Sequence, residues 1–249
     1  MRVFVTGGTG AIGGYAAPAM IAAGHDVRAL VRTDAAASAL RAHGATPVRV
    51  SLFDRDGLAE SFDHCAAVVN LASALPGTAS FVRLSAWTDC HRIRREGSAA
   101  VVDAAIAAGV PRVLQESVVM VYTGSGDRWI DEESPVDHYP IATGNHAAEA
   151  SAHRFTDSGG SGVVLRFGLF YGAGAAHSEQ LMSLARRRVG FRRAGPMPTS
   201  PRSISPMRPQ PWCLRSTSIP APTTSSTIYR SPSGTTRLPW PARSAGIPW

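Results

Sequence analysis

The chain has 249 residues, 44% of them apolar, which is enough to fill the core of one large domain or of a domain with an appendage. Its three cysteines, Cys65, Cys90 and Cys213, lie far apart and form no Cys-x-x-Cys pair; that excludes a disulfide framework or a recognisable zinc site and suits a reducing cytoplasm. The net charge of +7 is a property of the tail, because all 18 acidic residues lie at or before Glu179 while 11 arginines fall between Arg186 and Arg243, so it argues for no nucleic-acid partner.

In chain order, "RVFVT" (2–6) is a β-branched run that ends in glycines and predicts a buried strand. "AIGGYAAPAMIAA" (11–23) has helical composition and is closed by Gly24. "DVRALVR" (26–32) predicts a second strand, and "DAAASALRAHG" a second helix ending at Gly44. "TPVRVSL", "AAVVNLA" and "RVLQES" predict further strands, with helical stretches such as 97–109 between them. "GVVLRFGLFYG" (162–172) supplies another strand and the loop after it. Strands alternating with helices predict an α/β fold, a Rossmann-type doubly wound parallel sheet. No apolar run reaches the roughly 18 residues of a membrane span, and no charged and then apolar leader opens the chain, so neither an anchor nor a signal peptide is expected.

The first strand delivers "TGGTGAIG", with Gly7, Gly10 and Gly13 at GxxGxxG spacing between a strand and a helix. Gly7 allows the tight turn, Gly10 the approach of a pyrophosphate and Gly13 close packing of helix on strand. The helix N-terminus leaves free N–H groups for the anion. Thr9, Ala11 and Ile12 complete the expected cofactor loop, and Leu71 and Ala72 after the fourth strand are expected under the cofactor. The end of the second strand should meet the adenosine ribose. Arg32 there suits the 2′-phosphate of NADP, with Asp34 two residues on; NAD stays possible, and so does a merely solvated Arg32.

These residues resemble the extended short-chain dehydrogenase/reductase family, the NAD(P)-dependent epimerases and dehydratases. The resemblance rests on "TGGTGAIG", "VVNLAS", "ESVVMVY" (116–122), "AAEA" (147–150) and "LRFGLFYG" (165–172), and covers roughly residues 1–190. It implies a small-molecule substrate, carbonyl or sugar-like, and hydride chemistry on NAD(P). The family works with a Ser/Thr hydroxyl and a Tyr-x-x-x-Lys pair. This chain has no lysine: counting back from Glu149, the tyrosine and lysine positions are Ile141 and Asn145. Counting back from Tyr122 puts the hydroxyl position on Val118, with Ser117 one residue early, and the family's asparagine falls near Arg94. That pattern is similar to atypical members, which either use another acid/base or bind the cofactor as non-catalytic sensors. Ser117, Tyr122 and Tyr139 are the candidate catalytic residues, with Asp127, Asp131 and Glu132 of "DRWIDEE". The alternatives are that Tyr122 and Tyr171 wall the pocket and that the acidic loop is a solvated lid.

From about Phe191 the alternation stops. Residues 191–249 hold 12 of the 18 prolines and no acidic residue. A basic tail and a disordered linker both fit that composition. A third reading explains more. Taken as degenerate codons and read from the third base of each, the segment from Met197 permits "AYVSSIHLTDAA", and that from Pro220 to Arg230 permits "GTYNVVDD". The ordered helix start and "YNV" strand are similar to the family's continuation, so the expectation is a frame change near Gly190–Phe191 and an irregular tail.

Overall fold

The computed structural model describes residues 1–77, 80–81, 83–124, 129–168, 176–187 and 226–230. Residues 188–225 and 231–249, most of the expected tail, lie outside the described residues, as do Asp127, Tyr171 and Cys213. A seven-stranded sheet runs in the order β3-β2-β1-β4-β5-β6-β7. Its strands are β1 (Arg2–Thr6), β2 (Asp26–Leu30), β3 (Thr46–Val48), β4 (Ala67–Asn70), β5 (Arg112–Val118), β6 (Ser161–Phe167) and β7 (Ser226–Arg230). The first six are mutually parallel, and β7 pairs antiparallel with β6 from Val163↔Arg230 to Phe167↔Ser226. The predicted strands all appear: "RVFVT" is β1 to the residue and β5 runs one residue past "RVLQES", while β2, β3 and β4 are shorter than expected because their last residues turn into the loops above the sheet. The edge of β6 is paired by five residues of the tail, which supply the N–H and C=O partners an open edge lacks.

Strand residues pointing to opposite faces build two cores, as a parallel sheet covered on both sides requires. On one face Val3, Val5, Val27, Ala29 and Val69 pack on Ala17 of α1 (Gly13–Ala22) and on Ala37 and Leu40 of α2 (Asp34–Ala42). On the other, Phe4, Val68 and Val113 meet Leu58 and Phe62 of α3 (Arg55–Ser61), Val101 and Val102 of α5 (Ser98–Ala107) and Phe155 of α6 (Thr143–Asp157). Between α3 and α5 the chain runs through α4 (Thr88–Arg92) and a π-helical turn, Ile93–Gly97, while α7 (Ala176–Arg186) follows β6. The chain order and this two-sided packing make the fold doubly wound.

Helix ends follow local chemistry. Gly24 closes α1 at φ +81, with Gly24 N bonded to Ile21 O and His25 N to Met20 O, the paired carbonyl capping that a left-handed residue allows. Thr33 caps α2 through its hydroxyl, which accepts from Ala36 N at 3.2 Å. No helix among the described residues is long and apolar enough to cross a membrane.

The strand order reverses between β1 and β4, so a crevice opens at their carboxyl ends. In open α/β sheets that switch point is where ligands bind.

Candidate functional site

The crevice is built from two strand ends. Gly7 follows β1 at φ +67, and a Cβ there would lie 2.5 Å from Leu71 O and 3.0 Å from Ala72 N. The glycine loop therefore rests directly on the backbone that leaves β4. At Gly13 a Cβ would lie 2.1 Å from Gly7 O and 2.7 Å from Gly8 Cα, so any side chain would push the first turn of α1 off the loop. Gly10 N bonds to Gly7 O at 2.9 Å and Gly14 N to Gly10 O at 2.8 Å, which closes the turn. The amides of Ala11, Ile12 and Gly13 have no acceptor among the described residues. A tight turn, a helix start and unpaired N–H groups fit a pyrophosphate. Sequence reasoning placed Gly7, Gly10, Gly13, Leu71 and Ala72 together, and the fold brings them together.

Thr6 holds the two strand ends in place. Its hydroxyl, fully buried, donates to Asn70 Oδ1 at 2.5 Å and accepts from Leu71 N at 3.1 Å and Ala72 N at 3.2 Å. Asn70 Nδ2 in turn donates to Gln115 Oε1 at 2.8 Å and Ser98 Oγ at 3.2 Å, tying β4 to β5 and α5. Arg32 stands two residues beyond β2, exposed.

Around Asn145, Arg94 and Ser117, where the sequence leads us to expect the family's catalytic positions, the structure holds a buried charged network. Asn145 lies in the first turn of α6, and its Oδ1 accepts from Arg94 Nη1 at 2.6 Å. Arg94, on the π-helical turn and 1% exposed, also donates from Nη2 to both oxygens of Glu116, at 2.7 and 3.0 Å. Burial pushes the Glu116 carboxyl above its ordinary range, against the pull of Arg94. A second pair lies alongside: Arg166 donates from Nε and Nη2 to Glu149 at 2.9 and 2.7 Å, and Ser117 Oγ donates to Glu149 Oε1 at 2.5 Å. Burial would raise Glu149, but the hydrogen bonds from Arg166 and Ser117 outweigh it and hold the carboxyl below its usual range. The bond to Glu149 raises Arg166. Ile141, expected from the sequence at the tyrosine position, has no proton to offer.

The three candidate catalytic hydroxyls are held in different ways. Ser117 is fully buried and committed to Glu149. Tyr122 is 8% exposed; the Arg166 guanidinium lies over its ring, 4.7 Å from the centroid, and its hydroxyl has no hydrogen-bond partner among the described residues. Tyr139 donates to Met120 O at 2.8 Å, joining the loop before α6 to the turn after β5. Burial raises the Tyr139 phenol, with Asp137 adding to it, so it stays protonated at neutral pH. Asp131 and Glu132 are exposed, and Asp131 bonds Ser134. Among the described residues no three His, Cys, Asp or Glu side chains gather as a metal site. Sequence reasoning missed both ion pairs. Part of the signal was present: Arg166 is the single charge of β6, SGVVLRF, and Glu116 sits mid-strand in β5, RVLQESV, where only a partner makes burial tolerable.

A model of the NAD dependent epimerase/dehydratase family matches residues 3–198. A 3-diazoavenalumate denitrifying reductase from a Streptomyces species is 33% identical over 194 residues, covering 72% of this chain and 59% of that protein. A 4-hydroxy-2-methyl-3-oxo-4-farnesyl-3,4-dihydroquinoline-1-oxide ketoreductase from Stigmatella aurantiaca is 33% identical over 178 residues, 70% of this chain and 51% of the relative. The chain thus spans 51–59% of the length of these curated relatives. A solved UDP-glucose-4-epimerase from Stenotrophomonas maltophila, with bound NAD, shares the fold at a TM-score of 0.55 and 24% identity, over 66% of this chain and 51% of that one.

Proposed function

This chain belongs to the NAD dependent epimerase/dehydratase family, and on that footing we propose that it binds a nicotinamide dinucleotide, NADP in preference to NAD, over the loop Gly7–Gly13. The observation that carries this reading is the loop itself: a left-handed Gly7 seated on Leu71 and Ala72, and amides at Ala11, Ile12 and Gly13 without acceptors, at the switch point of the sheet. Those amides take the pyrophosphate, Thr9 and Gly10 border it, and Arg32 meets the 2′-phosphate. When bound, the dinucleotide gives or takes a hydride.

The reaction is redox or epimerase/dehydratase chemistry on a small carbonyl or sugar-like molecule. A reductase and a ketoreductase among the relatives, and an epimerase of the same fold, support that class. Ser117 donates to Glu149 and Tyr139 to Met120 O, so Tyr122, whose hydroxyl has no hydrogen-bond partner among the described residues, is the first proton-carrying group of this reading and Tyr139 the second. A second reading, a non-catalytic NADP sensor, is favoured by one observation: Asn145 is locked into a buried network where the family has its lysine. Quenching of protein fluorescence by NADPH tests both, since absence of binding defeats them together. NADPH consumption with a panel of carbonyl compounds then separates enzyme from sensor.

The nucleotide-binding unit is residues 1–190, and residues 191–249 are read as out-of-frame translation. The loss of acidic residues, the proline density and the shifted reading "GTYNVVDD" support this. The DNA sequence across codons 185–200 tests it, and an uninterrupted frame encoding the tail as written overturns it. The working compartment is read as the cytoplasm, from three separated cysteines of which the two described, Cys65 and Cys90, are free and buried.

A further inference from the structure

β2 and β3 end side by side at the carboxyl edge of the sheet. Leu30 is registered against Val48, and Val31 N donates to Val48 O at 2.9 Å, so Arg32 and Arg49 leave neighbouring strands one step past that pairing. The glycine loop lies against the same corner: a Cβ on Gly8 would sit 3.3 Å from Ala29 Cβ of β2 and 3.5 Å from Leu40 Cδ2 of α2. α2 starts there too, with Thr33 as its cap and Asp34 as its first residue. Arg49 Nη2 is bonded to Asp34 Oδ1, while Arg32 has no hydrogen bond or ion pair among the described residues. The Asp34 side chain is 96% exposed and that of Arg49 56%. An ion pair so exposed adds little to folding, so stability gives no reason for the arrangement.

We propose that the Asp34–Arg49 pair is the discriminator between phosphorylated and unphosphorylated dinucleotide, with Arg49 as a second 2′-phosphate ligand beside Arg32. The proposal rests on the nucleotide reading above. With NAD(H), the 2′-hydroxyl of the ribose donates to the Asp34 carboxylate, which Arg49 holds in place. With NADP(H), a phosphate of charge near −2 competes with the single charge of Asp34 for Arg49. Arg49 exchanges partners and grips the phosphate together with Arg32, which needs no exchange because it is unpaired. Asp34 swings into solvent, which its exposure permits. One acid and two cations at this corner therefore let both dinucleotides bind and set their ratio.

The test is fluorescence titration of the full chain with NADPH and with NADH. Arg49→Gln weakens NADPH about 10-fold, the loss of one charge-assisted contact, and leaves NADH within about twofold. Arg49→Lys keeps part of the NADPH preference. Asp34→Asn tightens NADPH and weakens NADH. Raising ionic strength erodes NADPH binding more than NADH binding in the parent chain, and the gap narrows in Arg49→Gln. If both dinucleotides bind and Arg49→Gln shifts them equally, or shifts neither, the discrimination is wrong while the nucleotide reading stands. If the parent chain binds neither, both fall together.

Discussion

Replacing Arg94 with methionine removes one half of an ion pair in which Arg94 is 1% and Glu116 4% exposed. The Glu116 carboxylate, held at 2.7 and 3.0 Å by a single guanidinium, is left buried without a counter-charge, and Asn145 Oδ1 loses its 2.6 Å donor. Breaking a buried pair by removing one partner destabilises by about 3–5 kcal/mol, against a total stability of about 5–15 kcal/mol for an ordinary domain. The double change Arg94→Met with Glu116→Leu removes both charges and recovers most of that loss, because the desolvation of each ion disappears along with their attraction. The pH dependence has a definite sign. Burial already raises Glu116, and losing Arg94 raises it further, so the native state of the single variant binds a proton that the unfolded chain has released. Its deficit is largest at neutral pH and shrinks as pH falls through the raised value. Urea unfolding followed by circular dichroism at pH 7 and pH 5 measures this, with the slope m checking that the denatured state is unchanged. A loss below about 1 kcal/mol for Arg94→Met, or a double variant as unstable as the single, refutes the view that buried Glu116 depends on Arg94 as its counter-charge.

Gly13→Ala places a methyl 2.1 Å from Gly7 O, backbone against backbone, so NADPH binding is lost and the melting temperature falls; a variant that binds NADPH like the parent removes the loop from the site. Thr6→Val leaves Leu71 N, Ala72 N and Asn70 Oδ1 without their shared partner, which costs about 2–3 kcal/mol in urea and weakens NADPH, whereas Thr6→Ser retains both. Glu149→Gln loses about 2 kcal/mol at pH 7. Because the native carboxyl is held below its unfolded value, its contribution is complete above the ordinary glutamate range and is lost as pH falls through the lowered value. The stability gap between parent and Glu149→Gln should therefore close in strong acid; a gap unchanged from pH 7 to pH 3 counts against the pair.

Reading by residue worked where neighbours in sequence decide the outcome. "RVFVTGGTGAIGG" yields β1, its turn and the start of α1 because β-branching, left-handed φ and helix entry all act within a few residues. Gly24 and Gly44 end their helices at positive φ for the same local reason. The helix over Thr143–Asp157 was legible only as "AAEA", since small and polar residues dominate it and no side chain caps its start; packing of Phe155 and Ala148 in the interior stabilises it. The strand Ser226–Arg230 was hidden in a proline-rich segment, because its pairing is supplied by the open edge of β6 rather than by its own pattern.

That the chain has no lysine was evident from the sequence, and with it the expectation that a Tyr-x-x-x-Lys pair is missing. What stands in its place was not. Glu116 and Asn145 lie 22 and 51 positions from Arg94, and the three meet only because the π-helical turn and the first turn of α6 converge over β5. Glycine spacing and strand order depend on steric rules that act locally, so the order of residues along the chain is enough to state them. Which charges cancel inside the molecule depends on distances across the sheet, and only the folded packing sets those distances.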